Sequence, residues 1–460
     1  MGRGFWTVYV FFLPLFFAYV ECNAKENHVT PCQFGLLEAK TDQERYWCLY
    51  QTHIEAKRTN SKVVYDSIDT IRIEIPKDAK PIPLTDETDF GNAVFIVNNQ
   101  KKDLYLFYLS NIVTKDFYTS YYDIERKKSI NEKGNYLIVV EDKNPWVQNR
   151  EGFNYGHIRK DIVFINEGRV KGNVISSYGT ISSNPVFSKI VVNKAPKYIK
   201  NIQFIRDSSS TFKTFPFYIE NQYNVYIDNV YIYTPKGDLY GDAAIRLINC
   251  FKVNITDVTI DGTYSQLDTY GYGISMDNVS NVSIERLNAK ACWGVFGNNN
   301  INNIRLKNCD INRFDVHCYG KDVYCTNCIF RDLYNQFSSM FGTVSFKKCE
   351  FLKSTPVLFE ASYNAYTKFK LVIKDCVVHA SEQRFSLIHG GDINGEITAG
   401  REELKQKSFP DLYIDGLTVF LPRGVKNYYT YNLKRQVLKW PQDNIPGLKK
   451  YKRFKIVLEN

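Results

Sequence analysis

The sequence predicts an all-β fold, a single-stranded right-handed parallel β-helix (solenoid) with N- and C-terminal caps. Three observations predict it. One short strand phrase recurs along the chain, helical periodicity is almost absent between residues 160 and 420, and Asn-rich turns ("NNNINN", "DNVSN") separate the phrases. Strands that repeat at a nearly fixed period without helices stack as the coils of a solenoid.

The repeated phrase is apolar-x-apolar-polar-polar-apolar-x-apolar. It reads "VYIDNVYI" (225–232), "VNITDVTI" (253–260), "VSIERLNA" (282–289), "IRLKNCDI" (304–311), "VYCTNCIF" (323–330), "VSFKKCEF" (344–351) and "LVIKDCVV" (371–378), with weaker copies at 199–206 and 412–419. Alternation with a period of two indicates strand. The two central polar residues predict a bend between two short strands.

The sixth position of the phrase aligns the coils. It is occupied by Val230, Val258, Leu287, Cys309, Cys328, Cys349 and Cys376, at steps of 28, 29, 22, 19, 21 and 27 residues. We expect the four cysteines to face inward about 4.8 Å apart, mainly as free thiols that pack like small apolar groups. Cys325 and Cys328 resemble half of a zinc site, but no second pair follows, so we predict neither metal nor cofactor.

The N-terminus predicts export. Arg3 precedes an uncharged, mostly apolar run from Phe5 to Val20, and residues 22–24 form a plausible cleavage site, which is typical of a signal peptide over residues 1–24. The alternatives are a membrane anchor, for which the run is short, and lipid attachment at Cys22. The predicted location is secreted, periplasmic or on the outer surface.

Three further regions follow the signal. Residues 25–70 are predicted to form an N-terminal cap region, 71–420 the parallel β-helix and 421–460 a basic C-terminal cap or tail. Within the helix, residues 90–165 contain strand-like stretches ("AVFIV", "LYLFYL", "YLIVV") and are expected to form early, less regular coils with large loops.

The positive charge is concentrated at the C-terminal end. The last forty residues hold ten Lys or Arg and two acids, which is +8 of the net +10. This indicates either a solvated cap or attraction to an anionic glycan or a membrane or cell surface. The predicted export signal argues against nucleic acid as a partner.

The coil phrases resemble the right-handed parallel β-helix superfamily that includes pectate lyases and polygalacturonases, over roughly residues 70–420. The polygalacturonase carboxylate signatures, Gly-His-Gly and an Asp-rich calcium cluster are absent. The resemblance implies carbohydrate binding or cleavage. The Asn-, Lys- and Tyr-rich composition also resembles secreted proteins of gut Bacteroidetes.

Aligning the strand before each phrase predicts which residues face outward. The expected inner ladder is Leu247, Met276, Phe296, Cys318, Met340, Phe359 and Ile388. One outer column is then Arg246, Ser275, Val295, His317, Ser339 and Leu358. The other is Ile248, Asp277, Gly297, Tyr319, Phe341, Glu360 and His389.

This alignment predicts a glycan site around the stretch "RFDVHCYG" (313–320). Gly297 would leave a notch between Asp277 and Tyr319. The expected catalytic residues are His317, Tyr319, Asp315, Arg313 and Asp277. The expected substrate-binding residues are Arg246, Tyr272, Trp293, Phe341, Glu360 and His389, among which the rings of Tyr272, Trp293 and Phe341 would be stacking walls. For each outward residue, an ordinary solvated strand surface is the alternative.

Two reactions fit these residue types. In β-elimination on an acidic glycan, Arg313 or Arg246 would neutralise the carboxylate, His317 would abstract the C5 proton and Tyr319 would protonate the leaving oxygen. In hydrolysis, Asp277 would pair with Asp315 or Glu360 across the bond.

We therefore predict an exported carbohydrate-active protein, a polysaccharide lyase or a glycoside hydrolase, whose partner is a polysaccharide of anionic character. The alternative is a non-catalytic glycan-binding or cell-envelope surface protein.

Overall fold

The computed structural model describes residues 28–66, 68–114, 124, 126, 130, 133–147, 157–175, 185–235, 243–262, 265–266, 269–290, 292–331, 334–337, 340–352, 355–359, 368–380, 384–390, 410–423, 427–433, 436–438 and 448–458. The predicted signal sequence and Cys22 lie outside them. No helix within these ranges is long and apolar enough to cross a membrane.

The N-terminal elements are β1 (His28–Val29), a 3-10 helix (Pro31–Phe34), α1 (Asp42–Thr59), β2 (Lys62–Val64), β3 (Thr70–Glu74), β4 (Ile82–Pro83), β5 (Glu87–Asn98) and β6 (Leu104–Ser110). The next five strands form a unit that we call the excursion. They are β7 (Val113–Thr114), β8 (Asn135–Val147), β9 (His157–Asn166), β10 (Arg169–Lys171) and β11 (Val186–Val191).

The regular coils contain β12 (Lys197–Arg206), β13 (Thr214–Glu220), β14 (Tyr223–Thr234), β15 (Ile245–Gly262), β16 (Ser265–Gln266), β17 (Thr269–Tyr270), β18 (Ile274–Ala289), β19 (Val295–Lys307), β20 (Asp310–Ile311), β21 (Phe314–Thr326), β22 (Ile329–Phe330), β23 (Tyr334–Phe337), β24 (Met340–Lys347), β25 (Glu350–Leu352) and β26 (Thr355–Phe359). The last elements are β27 (Lys368–His379), β28 (Arg384–Gly390), β29 (Asp411–Leu421), β30 (Asn427–Leu433), β31 (Gln436–Leu438) and β32 (Leu448–Leu458).

The strands stack in parallel as coils of a right-handed β-helix, so the predicted fold class is confirmed. β14, β15, β18 and β19 pair in parallel one after another, and β21, β24, β27, β29 and β32 continue the stack. The apolar side chains that face the inside of the coils form one continuous core. β32 lies within the predicted basic tail and adds a further coil beyond residue 421.

The bend predicted inside the repeated phrase is present in every strong copy. Its fifth residue has a left-handed backbone with φ between 51° and 55° at Asn229, Asp257, Arg286, Asn308, Asn327, Lys348 and Asp375. Asparagine adopts this conformation more readily than most residues. Side-chain ladders join the bends of neighbouring coils, for example Asn229 Nδ2 to Asn201 Oδ1 at 2.8 Å.

The sixth position forms the predicted inner ladder. Its pairing follows from the register of the strands on either side of each rung. Cys309, Cys328, Cys349 and Cys376 are all buried there, and no cysteine in the described residues forms a disulfide. Cys32 and Cys48, which lie in the N-terminal cap region, are free and half-buried.

Helix α1 lies in the N-terminal cap region and was not predicted. Thr41 and Glu44 form a capping box, in which Thr41 Oγ1 accepts from the Glu44 amide at 3.1 Å and the Glu44 carboxylate accepts from the Thr41 amide at 3.0 Å. The helix packs Tyr46, Leu49 and Ala56 onto the core. The spacing Thr-x-x-Glu is a sequence signal for this helix start.

The excursion replaces the loops expected between early coils. β5 and β6 belong to the solenoid, since they pair in parallel with β12 and β13. The stretch "YLIVV" instead lies on β8 of a separate five-stranded antiparallel sheet. Its residues are apolar on both faces because Tyr136, Ile138 and Val140 pack inside the excursion, while Leu137 and Val139 belong to the cluster that contains the solenoid residue Phe251.

Candidate functional site

The outer face of the sheet that contains β13, β23 and the first halves of β15, β18, β19 and β21 carries the candidate site. Its first outer column, defined by backbone register, is Tyr108, Tyr218, Arg246, Ser275, Phe296, Asp315 and Gln336. The column expected from the sequence has Val295 and His317 at the third and fourth coils, so that alignment is wrong there. Asp315 occupies the position assigned to His317.

The error has a physical cause in the coil lengths. Met276 and Val279, three residues apart, pair with Gly297 and Ile301, which are four apart. The extra residue forms a bulge between this strand and the repeated phrase that follows it. Counting back from the phrase across the bulge therefore assigns each side chain of the strand to the opposite face.

Gly297 therefore faces inward and does not form the predicted notch. It pairs with Met276 and Val316, and a Cβ at this position would lie 2.6 Å from Ile301 Cδ1. The observed inner ladder is Leu247, Met276, Gly297, Val316 and Phe337. Phe296 and Cys318 are not part of it.

Tyr319 and Phe341 do not lie where the sequence placed them. Tyr319 is fully buried with φ at 55°, at the bend that Asn249, Asn278 and Asn300 occupy in earlier coils. Phe341 pairs with Lys321 beyond this bend. Neither residue shares the outer column of Asp315, because the chain turns a corner between them.

Four predicted residues do come together, and we call them the stacked cluster: Tyr272, Trp293, Arg313 and Asp315. The rings of Tyr272 and Trp293 stack at 5.4 Å between centroids with 4° between their planes. The Arg313 guanidinium carbon lies 3.9 Å from the centroid of the Trp293 ring. The indole is thus held between a phenol and a cation.

Asp315 anchors the stacked cluster from beneath. Its Oδ2 accepts a hydrogen bond from Tyr272 Oη at 2.9 Å and pairs with Arg313 Nη2 at 2.6 Å. Asp315 and Arg313 are buried, whereas Tyr272 and Trp293 are half-buried. The two half-buried rings are therefore held at the surface by a buried ion pair.

Burial governs the protonation of the stacked cluster. It raises the pKa of Asp315 to about 6, although Arg313, Tyr272 and the Gln336 backbone all favour the carboxylate. Burial and the nearby Asp315 charge raise the pKa of Tyr272 well above its usual value. The phenol of Tyr272 therefore stays protonated and donates to Asp315.

The neighbouring coils extend the same face with charged groups. Half-buried Arg246 lies over the Tyr218 ring, with its guanidinium carbon 5.8 Å from the centroid. In the adjacent column Glu220, Ile248 and Asp277 occupy three successive coils. Two strand spacings place the backbones of Glu220 and Asp277 about 9.6 Å apart.

Three predicted site residues cannot be placed with their side chains. The side chain of His317 lies outside the described part of the chain, as does the whole of Glu360. His389 lies on β28 and its backbone pairs with Leu358 in the first outer column, not in the column expected from the sequence. Its side chain is also outside the described part.

Sequence reasoning missed Glu220, Gln336 and the role of Gly294. Glu220 accepts from Tyr108 Oη at 3.0 Å, and buried Gln336 is the rung that follows Asp315. Gly294 has φ at 123°, and a Cβ there would lie 2.0 Å from the Arg313 carbonyl oxygen. Glycine at this position lets the coils of Trp293 and Arg313 approach each other closely. In the sequence, the glycine directly after Trp293 is the feature that indicates this close approach.

The fold agrees with solved structures. The chain is similar to the tailspike gp61 of Pseudomonas phage phi297, at 10% identity and a TM-score of 0.50, over 95% of this chain and 75% of that one. A tailspike of Acinetobacter baumannii bacteriophage AP22, solved with a capsular saccharide, gives 12% identity and a TM-score of 0.48 over 88% and 69%. The A-module of the Azotobacter vinelandii mannuronan C-5 epimerase AlgE4 gives 9% and 0.44 over 94% and 95%.

These neighbours are right-handed parallel β-helix proteins, and at such low identity the likeness concerns the fold. No protein-family model matches the chain, and no curated protein matches it in sequence.

Proposed function

We propose that this protein is an exported, polysaccharide-active protein that binds an anionic glycan along the outer face carrying Tyr218, Arg246, Tyr272 and Trp293. The observation that supports it is the line of half-buried rings and a guanidinium at successive coils. Ligand sites commonly combine aromatic side chains with a few fixed polar groups, and a site of this kind on rigid strands is pre-organised. Among proteins of this fold, the AP22 tailspike was solved in complex with a capsular saccharide.

The anionic character of the glycan is proposed from charge. We assign a glycan carboxylate to the Arg246 guanidinium, because it is half-buried on this face whereas Arg313 is buried beneath the rings. The net charge of +10, most of it in the last forty residues, favours the approach of a polyanion to the protein as a whole. Export is proposed from the predicted signal sequence, and the fraction of the protein found outside the cell after expression with and without residues 1–24 tests it.

Binding affinity for acidic and neutral polysaccharides tests the proposal. We expect acidic polysaccharides to bind, and Arg246→Ala and Trp293→Ala each to weaken binding at least tenfold. Arg305→Ala is the matched control, because Arg305 also lies over a tyrosine ring, that of Tyr324 at 5.2 Å, in a different segment of the coil. Equal loss in Arg305→Ala, or no binding to any acidic glycan, contradicts the proposal.

Hydrolysis is the second candidate activity, and the pair Glu220 and Asp277 favours it. Carboxyl groups about 6.5–9.5 Å apart suit an inverting glycosidase, and their backbones lie two coils apart on the face proposed to bind glycan. The lyase mechanism predicted from the sequence needs Tyr319 at the surface, whereas Tyr319 is fully buried. Cleavage should therefore give new reducing ends without the ultraviolet absorbance of an unsaturated product.

A carboxylate series checks this second candidate. Glu220→Gln and Asp277→Asn should each abolish new reducing ends, while Glu285→Gln, which removes a carboxylate that pairs with Arg286 and Lys307, should leave them unchanged. Unsaturated products would restore elimination as the reaction. If the glycan binds and no product of either kind forms, the protein is a binding protein.

A further inference from the structure

Four cysteine thiols lie in one unbroken row inside the solenoid. Cys309, Cys328, Cys349 and Cys376 occupy successive coils at the same register. Each is 1% or 2% exposed. Apolar residues bound the row, with Leu287 before Cys309 and Leu417 after Cys376. We call these four residues the thiol ladder.

Neighbouring thiols of this ladder face one another on adjacent coils. The Cys328 side chain interacts with those of Cys309 and Cys349, and the Cys349 side chain also interacts with that of Cys376. The amide of Cys349 donates to Cys376 Sγ at 3.4 Å. A coil spacing of about 4.8 Å lies inside the range of roughly 4.4–6.8 Å between the Cα atoms of disulfide-bonded cysteines.

We propose that the thiol ladder closes into two disulfides, Cys309–Cys328 and Cys349–Cys376, when the chain folds under oxidising conditions. The pairing follows from the order of the row. Four thiols in line form two bonds between neighbours only in this way, because a Cys328–Cys349 bond would leave Cys309 beside Leu287 and Cys376 beside Leu417. The bonds would staple the coils of the core to one another.

The oxidant is a small-molecule or protein disulfide. The thiolate of one cysteine attacks it, forms a mixed disulfide and expels one thiolate. The neighbouring ladder thiolate then attacks the protein sulfur, forms the Cys–Cys bond and expels the second thiolate. Each bond moves two electrons to the oxidant, and the two cysteine protons pass to solvent or to the released thiolates.

Burial of the ladder sulfurs determines the stage of folding at which they can be oxidised. The folded coils leave the ladder sulfurs almost no contact with solvent, so an oxidant reaches them while the coils are still assembling. We therefore expect the folded, reduced protein to resist both alkylation and oxidation. Disulfides of this kind belong to exported proteins, which agrees with the proposed location, although the test below depends neither on location nor on glycan binding.

Oxidative refolding of the full chain tests the proposal. The denatured, reduced protein is refolded with reduced and oxidised glutathione, remaining thiols are alkylated, and tryptic peptides are mapped without reduction. We expect cross-linked peptides for both bonds and loss of the four ladder thiols from the alkylated set, while Cys250 and Cys292, which lie outside the ladder, stay alkylatable after denaturation. The oxidised protein should also melt at a higher temperature than the reduced protein.

Two variants make the pairing unambiguous. Cys325 and Cys328 share a tryptic peptide, so the mapping is repeated in Cys325→Val. Cys328→Val, which places at this rung the residue found at Val230 and Val258, should leave Cys309 free and keep Cys349–Cys376. Four free ladder thiols after refolding, or a Cys328–Cys349 bond in the parent chain, would overturn the proposal.

Discussion

Asp315 is a buried residue that positions two half-buried aromatic rings. Its carboxylate holds the Tyr272 hydroxyl and the Arg313 guanidinium, and that guanidinium supports the Trp293 ring. Asp315 itself is fully buried. Its role in this arrangement is therefore to position the two half-buried rings, and its protonation should affect both their geometry and the stability of the fold.

Replacement of Asp315 by Asn should remove a pH-dependent contribution to stability. The pKa of Asp315 in the folded state is raised from 3.8 to about 6, so the folded protein binds this proton more tightly than the unfolded chain does. The favourable contribution is complete below pH 4 and is lost as the pH rises through 6. Between pH 4 and 7, the free energy of unfolding of the parent should fall by about 2 kcal/mol relative to that of Asp315→Asn.

Urea denaturation of both proteins across this pH range measures the difference. Asp257→Asn is the control, because Asp257 is exposed and its ion pair with Arg286 lowers its pKa. The control should show no fall in this range. A difference between parent and Asp315→Asn that is flat, or that rises with pH, would contradict the assigned burial of the carboxylate.

Strand register is decided in the elements by bulges and bends. The extra residues in β19 and β21 move Gly297 and Val316 into the core and bring Asp315 into the first outer column. The bends are fixed by residues with left-handed backbone, most of them asparagine. Register and bends can therefore be tested separately by substitution.

Gly297→Ala should lower stability and leave glycan binding unchanged. The added methyl group would lie 2.6 Å from Ile301 Cδ1 in the core, and overpacking of this kind costs about 1–3 kcal/mol. The free energy of unfolding in urea and the glycan affinity are measured on the same protein. Weakened binding with unchanged stability would mean that Gly297 belongs to the outer face that binds glycan.

Asn249 offers a test of the bends. Its Nδ2 donates to Asn221 Oδ1 at 3.0 Å, and its Oδ1 accepts from Asn278 Nδ2 at 2.8 Å. Asn249→Ala loses both bonds and keeps a Cβ in the left-handed backbone, whereas Asn249→Gly loses the bonds and also removes that Cβ. We expect Ala to be less stable than Gly by about 1 kcal/mol, measured by urea denaturation. Ala at least as stable as Gly would show that the backbone conformation at this bend carries no strain.

At the scale of the whole molecule, the excursion and the solenoid are joined through one outer corner. Phe251 of the solenoid packs among Phe164, Tyr223 and Gly172. Polar contacts flank it, including Lys160 amide to Asn300 Oδ1 at 2.8 Å and Lys321 Nζ to the Val174 carbonyl at 2.9 Å. The antiparallel sheet thus depends on the solenoid for one of its two apolar faces.

Phe251→Ala should release the excursion without unfolding the coils. Loss of a buried phenylalanine costs about 3–5 kcal/mol, and here the loss falls on the contact between the two sheets. Limited proteolysis should then cleave within residues 113–192 at least tenfold faster, while the β-sheet circular dichroism of the solenoid is kept. Phe204→Ala, inside the coils, is the control and should destabilise the whole chain; unchanged cleavage in Phe251→Ala would contradict this interface.

The coil architecture follows from the amino-acid sequence. The sixth-position ladder and the bend before it were predicted residue by residue, because period-two alternation and polar bends are local properties that each coil repeats. The sequence also predicted that one site contains Tyr272, Trp293, Arg313 and Asp315. The spacing Thr-x-x-Glu at Thr41 also indicates the start of helix α1.

Which residues of the site meet depends on how the coils pack in three dimensions. A single bulge exchanges the faces of a strand, and nothing local marks it, so Gly297 and Tyr319 were assigned to the surface although they are buried. The sequence likewise does not distinguish the excursion from a coil, because a strand that is apolar on both faces has the same pattern in a solenoid as in a separate sheet. The alternation of apolar and polar residues is a local property of the sequence, whereas strand register depends on what each strand packs against.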